Sequence, residues 1–174
     1  MPTSTTGRLH SRPENPSDAA FVRALFNDAR SGEFAAAGLA GDALASLLDL
    51  QFRAQTVGYA TAHPAATGTV VELDGRPAGR AIVARSEQVI LIVNIAVLSA
   101  YRGRGAASEL LRALTREADA SGHEIRLQVR TGNTVARALY ERFGFATVDE
   151  RDGDALMSRP STTTRATREA GANG

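Results

Sequence analysis

The stretch VILIVNIAVL at residues 89–98 limits the fold more than any other part of the chain, because nine of its ten residues are apolar. Both alternating sets of positions are hydrophobic, so a strand formed there is buried on both faces and belongs in the middle of a sheet covered on two sides. The uninterrupted run, residues 89–93, is far shorter than the roughly 20 residues of a membrane span, and no membrane partner is expected. Asn94 is the one polar interruption.

The remaining pattern supplies the covering layers. Ser17 or Asp18 caps a helix in which Phe21, Val22, Leu25 and Phe26 recur at helical spacing, and a second helix runs from Asp42 through Leu44, Leu47, Leu48 and Phe52. Strands are expected at 69–73 and 80–84, joined by the turn Asp74-Gly75-Arg76-Pro77. After the central strand and the glycines 103 and 105, a helix to about Ala120 carries Leu110, Leu111, Leu114 and Ala118 on one face and stops at Gly122. A strand at 125–129, a helix opened by Asn133 and closed by Gly144, and short strands at 145–148 and 155–158 complete the set. The fold class that follows is mixed α/β (α+β), a mainly antiparallel sheet flanked by helices. With no repeat and no linker, one domain is expected over residues 8–159, with tails at 1–7 and 160–174.

Composition then removes function classes. Cysteine is absent, which excludes disulfides, thiolate metal ligands and acyl-cysteine intermediates. The three histidines, His10, His63 and His123, lack metal-ligand spacing, so no metal is expected. All 20 basic residues are Arg, excluding Schiff-base lysines and the Walker-type phosphate lysine. A net charge of +1 is too balanced for a nucleic-acid-coating chain, and no nucleic acid is expected. The first residues lack an apolar signal-peptide core, so a cytoplasmic setting is the expectation.

Anion binding must therefore be local, and Tyr101-Arg102-Gly103-Arg104-Gly105-Ala106-Ala107-Ser108 is where it concentrates. Small residues between a buried strand and a helix start let backbone N–H groups approach a ligand, and the helix N-terminus favours a phosphate. Arg102, Arg104, Arg112 and Arg116 stand against a single Glu109 nearby. The turn reads as a pyrophosphate cradle; a tight basic turn without a ligand is the plain alternative. A dinucleotide turn also opens with G-x-G. Against it, Ser108 replaces the third glycine, and Arg130, not an acid, ends the next strand.

The segment Arg102-Gly103-Arg104-Gly105-Ala106-Ala107 resembles the Q/R-x-x-G-x-G/A motif of the GNAT superfamily of acyl-CoA-dependent N-acetyltransferases. Residues 133–145, NTVARALYERFGF, are similar to a second pattern of that superfamily, N-x-x-A-x-x-L-Y-x-x-x-G-F. The resemblance covers about residues 8–159. It implies a V-shaped opening between the central strand and the strand at 125–129. Acetyl-CoA would lie there, its pantetheine paired with the backbone of Ile95, Ala96 and Val97. Its pyrophosphate would rest on the amides of Arg102, Gly103, Arg104, Gly105, Ala106 and Ala107. It also implies direct attack of an amine on the thioester in a ternary complex, with Tyr140 protonating the departing thiolate and Asn133 touching the cofactor arm or serving as a helix cap.

Many members place an acid on the central strand as general base, where this chain has Asn94. An amide cannot accept that proton, so Asn94 would position water or substrate. Glu72, Asp74 and Glu87 are the nearest acids in sequence. In the helices where the superfamily builds its acceptor site, Phe34, Gln51, Gln55 and Tyr59 are candidate acceptor contacts, the last three at successive helical turns. His63 and His123 read as loop residues. The acceptor expected is a small-molecule or peptide amine. A CoA-binding sensor or partner module without efficient catalysis is the alternative, and an NADP-type binder using Arg130 is a weaker one. Homodimers are common in the superfamily, and no residue marks an interface.

Overall fold

A computed structural model describes residues 7–36, 38 and 40–162. Among these residues seven strands and four α-helices follow one another as β1 (Leu9–Pro13), α1 (Ala19–Ala36), α2 (Gly41–Ala62), β2 (Thr67–Leu73), β3 (Arg76–Arg85), β4 (Val89–Val97), α3 (Ala106–Ser121), β5 (Glu124–Arg130), α4 (Thr134–Arg142), β6 (Ala146–Arg151) and β7 (Asp154–Arg159). The strands form one sheet in the order β1-β2-β3-β4-β5-β7-β6. Every pairing is antiparallel except β4 with β5, which follows from α3 crossing between them. The apolar strand β4 is central, as its composition demands. No described helix is long and apolar enough to cross a membrane.

Two hairpins are set by the same turn chemistry. Asp74 and Gly75 link β2 to β3, and Asp152 and Gly153 link β6 to β7, all four with positive φ. Two consecutive left-handed residues match the right-handed strand twist, which is why Asp-Gly recurs there. The turn is tighter than its four-residue sequence signature, because Arg76 and Pro77 already belong to β3.

β1 is absent from the sequence expectation. Its Leu-His-Ser-Arg-Pro carries little apolar signal, because it is an edge strand in which Leu9 packs on the core and Pro13 needs no ladder donor. The expected tail from residue 160 also starts too early. Ser161 is fully buried and the Thr162 N–H donates to Asp119 at 2.9 Å, so packing continues at least to Thr162. Residues 1–6 and 163–174 lie outside the described residues.

The main core lies between the sheet and α3, where Leu110, Leu111, Leu114 and Ala118 meet Val71, Ala81, Val83, Ile90, Ile92 and Ile125. The helices α1 and α2 cover the other face. Asp18 fastens the start of α1: its carboxylate accepts from both terminal guanidinium nitrogens of Arg12 at 2.7 and 2.8 Å, and Arg12 Nε also reaches Glu72.

Candidate active site

One irregularity in β4 organises the site. Val83 pairs with Ile92 and Ile82 with Asn94, so Val93 has no partner opposite and forms a bulge. Ile90 and Ile92 face the α3 core. Simple alternation would send Asn94 and Ala96 the same way; the extra residue reverses the parity, so these two line a cavity under α1 and α2 while Ile95 and Val97 return to the core. The bulge also marks where β4 leaves β5. Their parallel pairing runs from Val89 and Glu124 to Ile92 and Leu127 and stops. From Asn94 to Val97 the strand keeps its β3 partner but shows an open edge toward β5, in line with the opening that the resemblance implies.

The same strand delivers the chain to the glycine turn. A 3-10 turn, Ser99–Tyr101, is followed by Gly103 at φ +72° and Gly105 at φ +88°, and Gly105 caps α3 without a side-chain bond. Both dihedrals lie in the left-handed region that suits glycine. The amides of Gly103, Gly105, Ala106 and Ala107 find no hydrogen-bond acceptor among the described residues, leaving a row of free donors at a helix N-terminus. These residues fit a pyrophosphate. Arg104 stacks its guanidinium 5.6 Å from the Tyr101 ring centre, and Arg102 Nε donates to the Val97 carbonyl at 3.3 Å. Arg112 and Arg116 both turn to Glu109, so the positive field they lend the turn is partly neutralised.

On the α1/α2 face the cavity encloses about 450 Å³. Gln55, Tyr59, Asn94 and Ala96 line it, as do Phe26 and Phe52, whose rings meet edge-on at 5.3 Å. Glu14 and Arg80 form a bidentate pair in its wall at 2.6 and 3.0 Å. Gly68 makes room for that pair, since a Cβ there would stand 1.8 Å from a Glu14 oxygen. Asp28 of α1 ties the two halves together: its carboxylate accepts the Ser99 N–H and hydroxyl at 2.8 and 2.6 Å, and the hydroxyl bond foremost holds this carboxyl below its usual range.

Residues 21–145, most of the chain, match the family model described as acetyltransferase (GNAT) family. This chain belongs to the GNAT family. Over 78 residues, 40% of the chain, it is 42% identical to an N-alpha-acetyltransferase of Saccharolobus solfataricus; the match spans 47% of that relative, about half its length. Among solved structures, the fold is similar to PaiA N-acetyltransferase from Thermoplasma acidophilum in complex with coenzyme A (TM-score 0.67, 15% identity, 88% of this chain and 99% of that one). It is similar also to the ribosomal-protein-S18-alanine N-acetyltransferase from Escherichia coli (TM-score 0.59, 21% identity, 88% and 94%).

In this GNAT chain Tyr140 is part-buried against the core, its ring 5.9 Å from that of Phe145. Burial pushes its phenol above the ordinary value, and its hydroxyl bonds to none of the described residues. Asn133 acts as helix cap, its side-chain oxygen accepting the Ala136 N–H at 3.1 Å. Two expected acceptor contacts fall elsewhere. Gln51 turns toward Arg30, which reaches it at 3.4 Å, and neither Gln51 nor Phe34 lines the cavity. The nearest acids in sequence are also displaced from it: Glu72 holds Arg12, Asp74 accepts the Arg8 N–H, and Glu87 is exposed. Arg130, needed by the NADP alternative, stands in an ion pair with Asp154 at 3.4 Å. What sequence reading missed is Glu14 and His63, both in the cavity wall.

Proposed function

We propose that this chain transfers the acetyl group of acetyl-CoA to the primary amine of a small-molecule or peptide acceptor by direct attack in a ternary complex. One arrangement carries the reading: β4 has an open edge toward β5, runs into a turn of free N–H donors, and presents Asn94 and Ala96 to the cavity on its other side. A cofactor along the edge and an acceptor in the cavity would therefore meet at one strand. The cavity volume suits a compact ligand, or the first residues of a peptide.

The backbone of Ile95, Ala96 and Val97 and the free amides of the 102–107 turn, those of Gly103, Gly105, Ala106 and Ala107, would hold acetyl-CoA, which supplies an activated thioester when bound. The Arg102 and Arg104 amides already donate to the Ser99 and Tyr101 carbonyls. Asn133 can touch the same ligand while capping its helix. Gln55 and Tyr59 would contact the acceptor, and Asn94, an amide donor and acceptor, would orient it or a water. Tyr140, protonated at neutral pH as any phenol is, would give its proton to the departing thiolate. Without a cysteine, no acyl-enzyme step on sulfur is available.

The test is calorimetric titration with acetyl-CoA, with NADPH as control, followed by thiol release across a panel of primary amines. Micromolar binding of acetyl-CoA together with amine-dependent CoA release is expected; binding of NADPH in its place would sink the reading. A second reading, a CoA-binding module without turnover, draws on Asn94 standing where an acid would serve and on Glu14 being committed to Arg80. It requires acetyl-CoA affinity with no amine-dependent release.

A further inference from the structure

The reaction proposed above needs a proton acceptor on the amine side, and β4 offers only Asn94. The charged and titratable groups that face the cavity come from every element around it: Glu14 after β1, Arg30 on α1, Tyr59 on α2, His63 at the end of α2, and Arg80 on β3. Guanidiniums cannot accept a proton, and a phenol already holds its own at neutral pH. Glu14 receives Arg80 Nε on one oxygen and Nη2 on the other, so protonating it would break a bidentate ion pair.

That leaves His63. Its ring makes no hydrogen bond to the described residues, while its backbone is fixed: the N–H donates to the Tyr59 carbonyl at 2.8 Å, the carbonyl accepts the Ala66 N–H at 2.9 Å, and Pro64 follows. The segment is therefore anchored while the imidazole remains uncommitted. An imidazole also has a ring nitrogen that can accept a proton and hand it on.

The sheet register gives the scale. Gly68, Ile82 and Asn94 stand side by side on β2, β3 and β4, so at a strand spacing of about 4.8 Å the sheet from Gly68 to Asn94 is about 10 Å across, with Ile82 and Asn94 of that row lining the cavity. A volume of about 450 Å³ holds an acceptor's amine end and several waters, at roughly 30 Å³ per water.

Resting on the acetyltransferase reading, we propose that His63 is the proton acceptor for the amine, reached through cavity water that Asn94 helps to orient. The acceptor's ammonium loses one proton along this water path to the imidazole, which passes it to solvent, and the electron pair stays on nitrogen. That pair forms the C–N bond to the thioester carbonyl. The C–S bond breaks, the thiolate leaves with the Tyr140 proton, and the second proton shed by the acylated nitrogen restores the phenol. The sum is ammonium plus thioester giving amide, thiol and one proton.

The experiment compares wild type, His63→Gln and His63→Ala, using acetyl-CoA and the amine that gives the fastest thiol release in the panel. The kcat/KM of wild type should rise with pH along a limb that His63→Gln lacks, with a loss at pH 7 of about 10²- to 10⁴-fold. Added imidazole should restore part of the His63→Ala rate, and acetyl-CoA affinity by calorimetry should stay within twofold in both variants. An unchanged limb in His63→Gln overturns the proposal, as does a rate loss with the limb intact and no imidazole rescue, which is the signature of a structural role. Failure of the wild type to bind acetyl-CoA would instead defeat the acetyltransferase reading on which the proposal stands.

Discussion

The two halves of the site are built from different materials. The proposed cofactor half is backbone: the turn at 102–107 with its two left-handed glycines, and a strand edge opened by one bulge. The proposed acceptor half is side chains brought from the chain after β1, from α1 and α2, and from β3 and β4. Backbone sites restrict residue type at fixed spacing, since only certain residues adopt the dihedrals or allow the close approach. Cavities made by side chains carry no such spacing, because their members are set by which strands pair and which helix face turns inward. Asp28, reaching from α1 to Ser99, joins the two halves through two hydrogen bonds.

Tyr140 gives the largest way to sharpen this contrast, since it is assigned to chemistry and not to holding either ligand. Tyr140→Phe keeps the ring beside Phe145 and removes only the hydroxyl. We expect kcat to fall about 10²- to 10⁴-fold with acetyl-CoA affinity unchanged in calorimetry. A matching loss of affinity would show that the hydroxyl belongs to the cofactor half after all.

Next in size are the turn glycines. Gly103→Ala and Gly105→Ala each force an L residue into the left-handed region, at about 1–2 kcal/mol. If that strain falls on the cradle, acetyl-CoA binds roughly 5- to 30-fold more weakly in each variant while the KM of the amine holds. Equal changes in both constants would mean that the halves are mechanically one unit.

The legibility of the sequence follows the same division. Central β4, the hairpin at Asp74-Gly75, the α3 stripe and the glycine turn were all readable, because each rests on local spacing. Asn94 was visible as an interruption, but that a bulge at Val93 would turn it toward the acceptor side depends on its pairing with Ile82. Helical spacing put Gln51, Gln55 and Tyr59 on one face, yet the structure gives Gln55 and Tyr59 to the cavity and Gln51 to Arg30. Glu14 meets Arg80 across 66 positions, a distance over which no local pattern speaks, and β1 was too short and polar to stand out.

Gly68 tests the acceptor half alone. In Gly68→Ala the new Cβ would stand 1.8 Å from a Glu14 oxygen, so the carboxylate must leave and its bonds with Arg80 are lost. The expected effect is a stability loss of about 1–2 kcal/mol in urea unfolding and a changed amine KM, with acetyl-CoA affinity untouched. A shift in that affinity would show the pair acting through β3 on the cofactor strand.

The smallest effect is a pH dependence that begins where α1 is fastened. The Arg12 guanidinium, and after it the Asn15 N–H, hold the Asp18 carboxyl down to about 2 from its ordinary 3.8. A folded-state value below the unfolded one stabilises the fold at pH above the unfolded value, and that contribution is lost as pH falls from there toward about 2. The gap in urea midpoint between wild type and Asp18→Asn should therefore be full at pH 6–7, shrink below about pH 4 and nearly vanish near pH 2. Because Arg12, Asp18 and Glu72 join α1 to β1 and β2, and α3 has no part in this network, amides of α1 should lose exchange protection before those of α3 as acid is added. Simultaneous loss in the two helices would mean that the acceptor half does not open on its own, and that the Asp28 tie to the cofactor turn outweighs the Arg12 clamp.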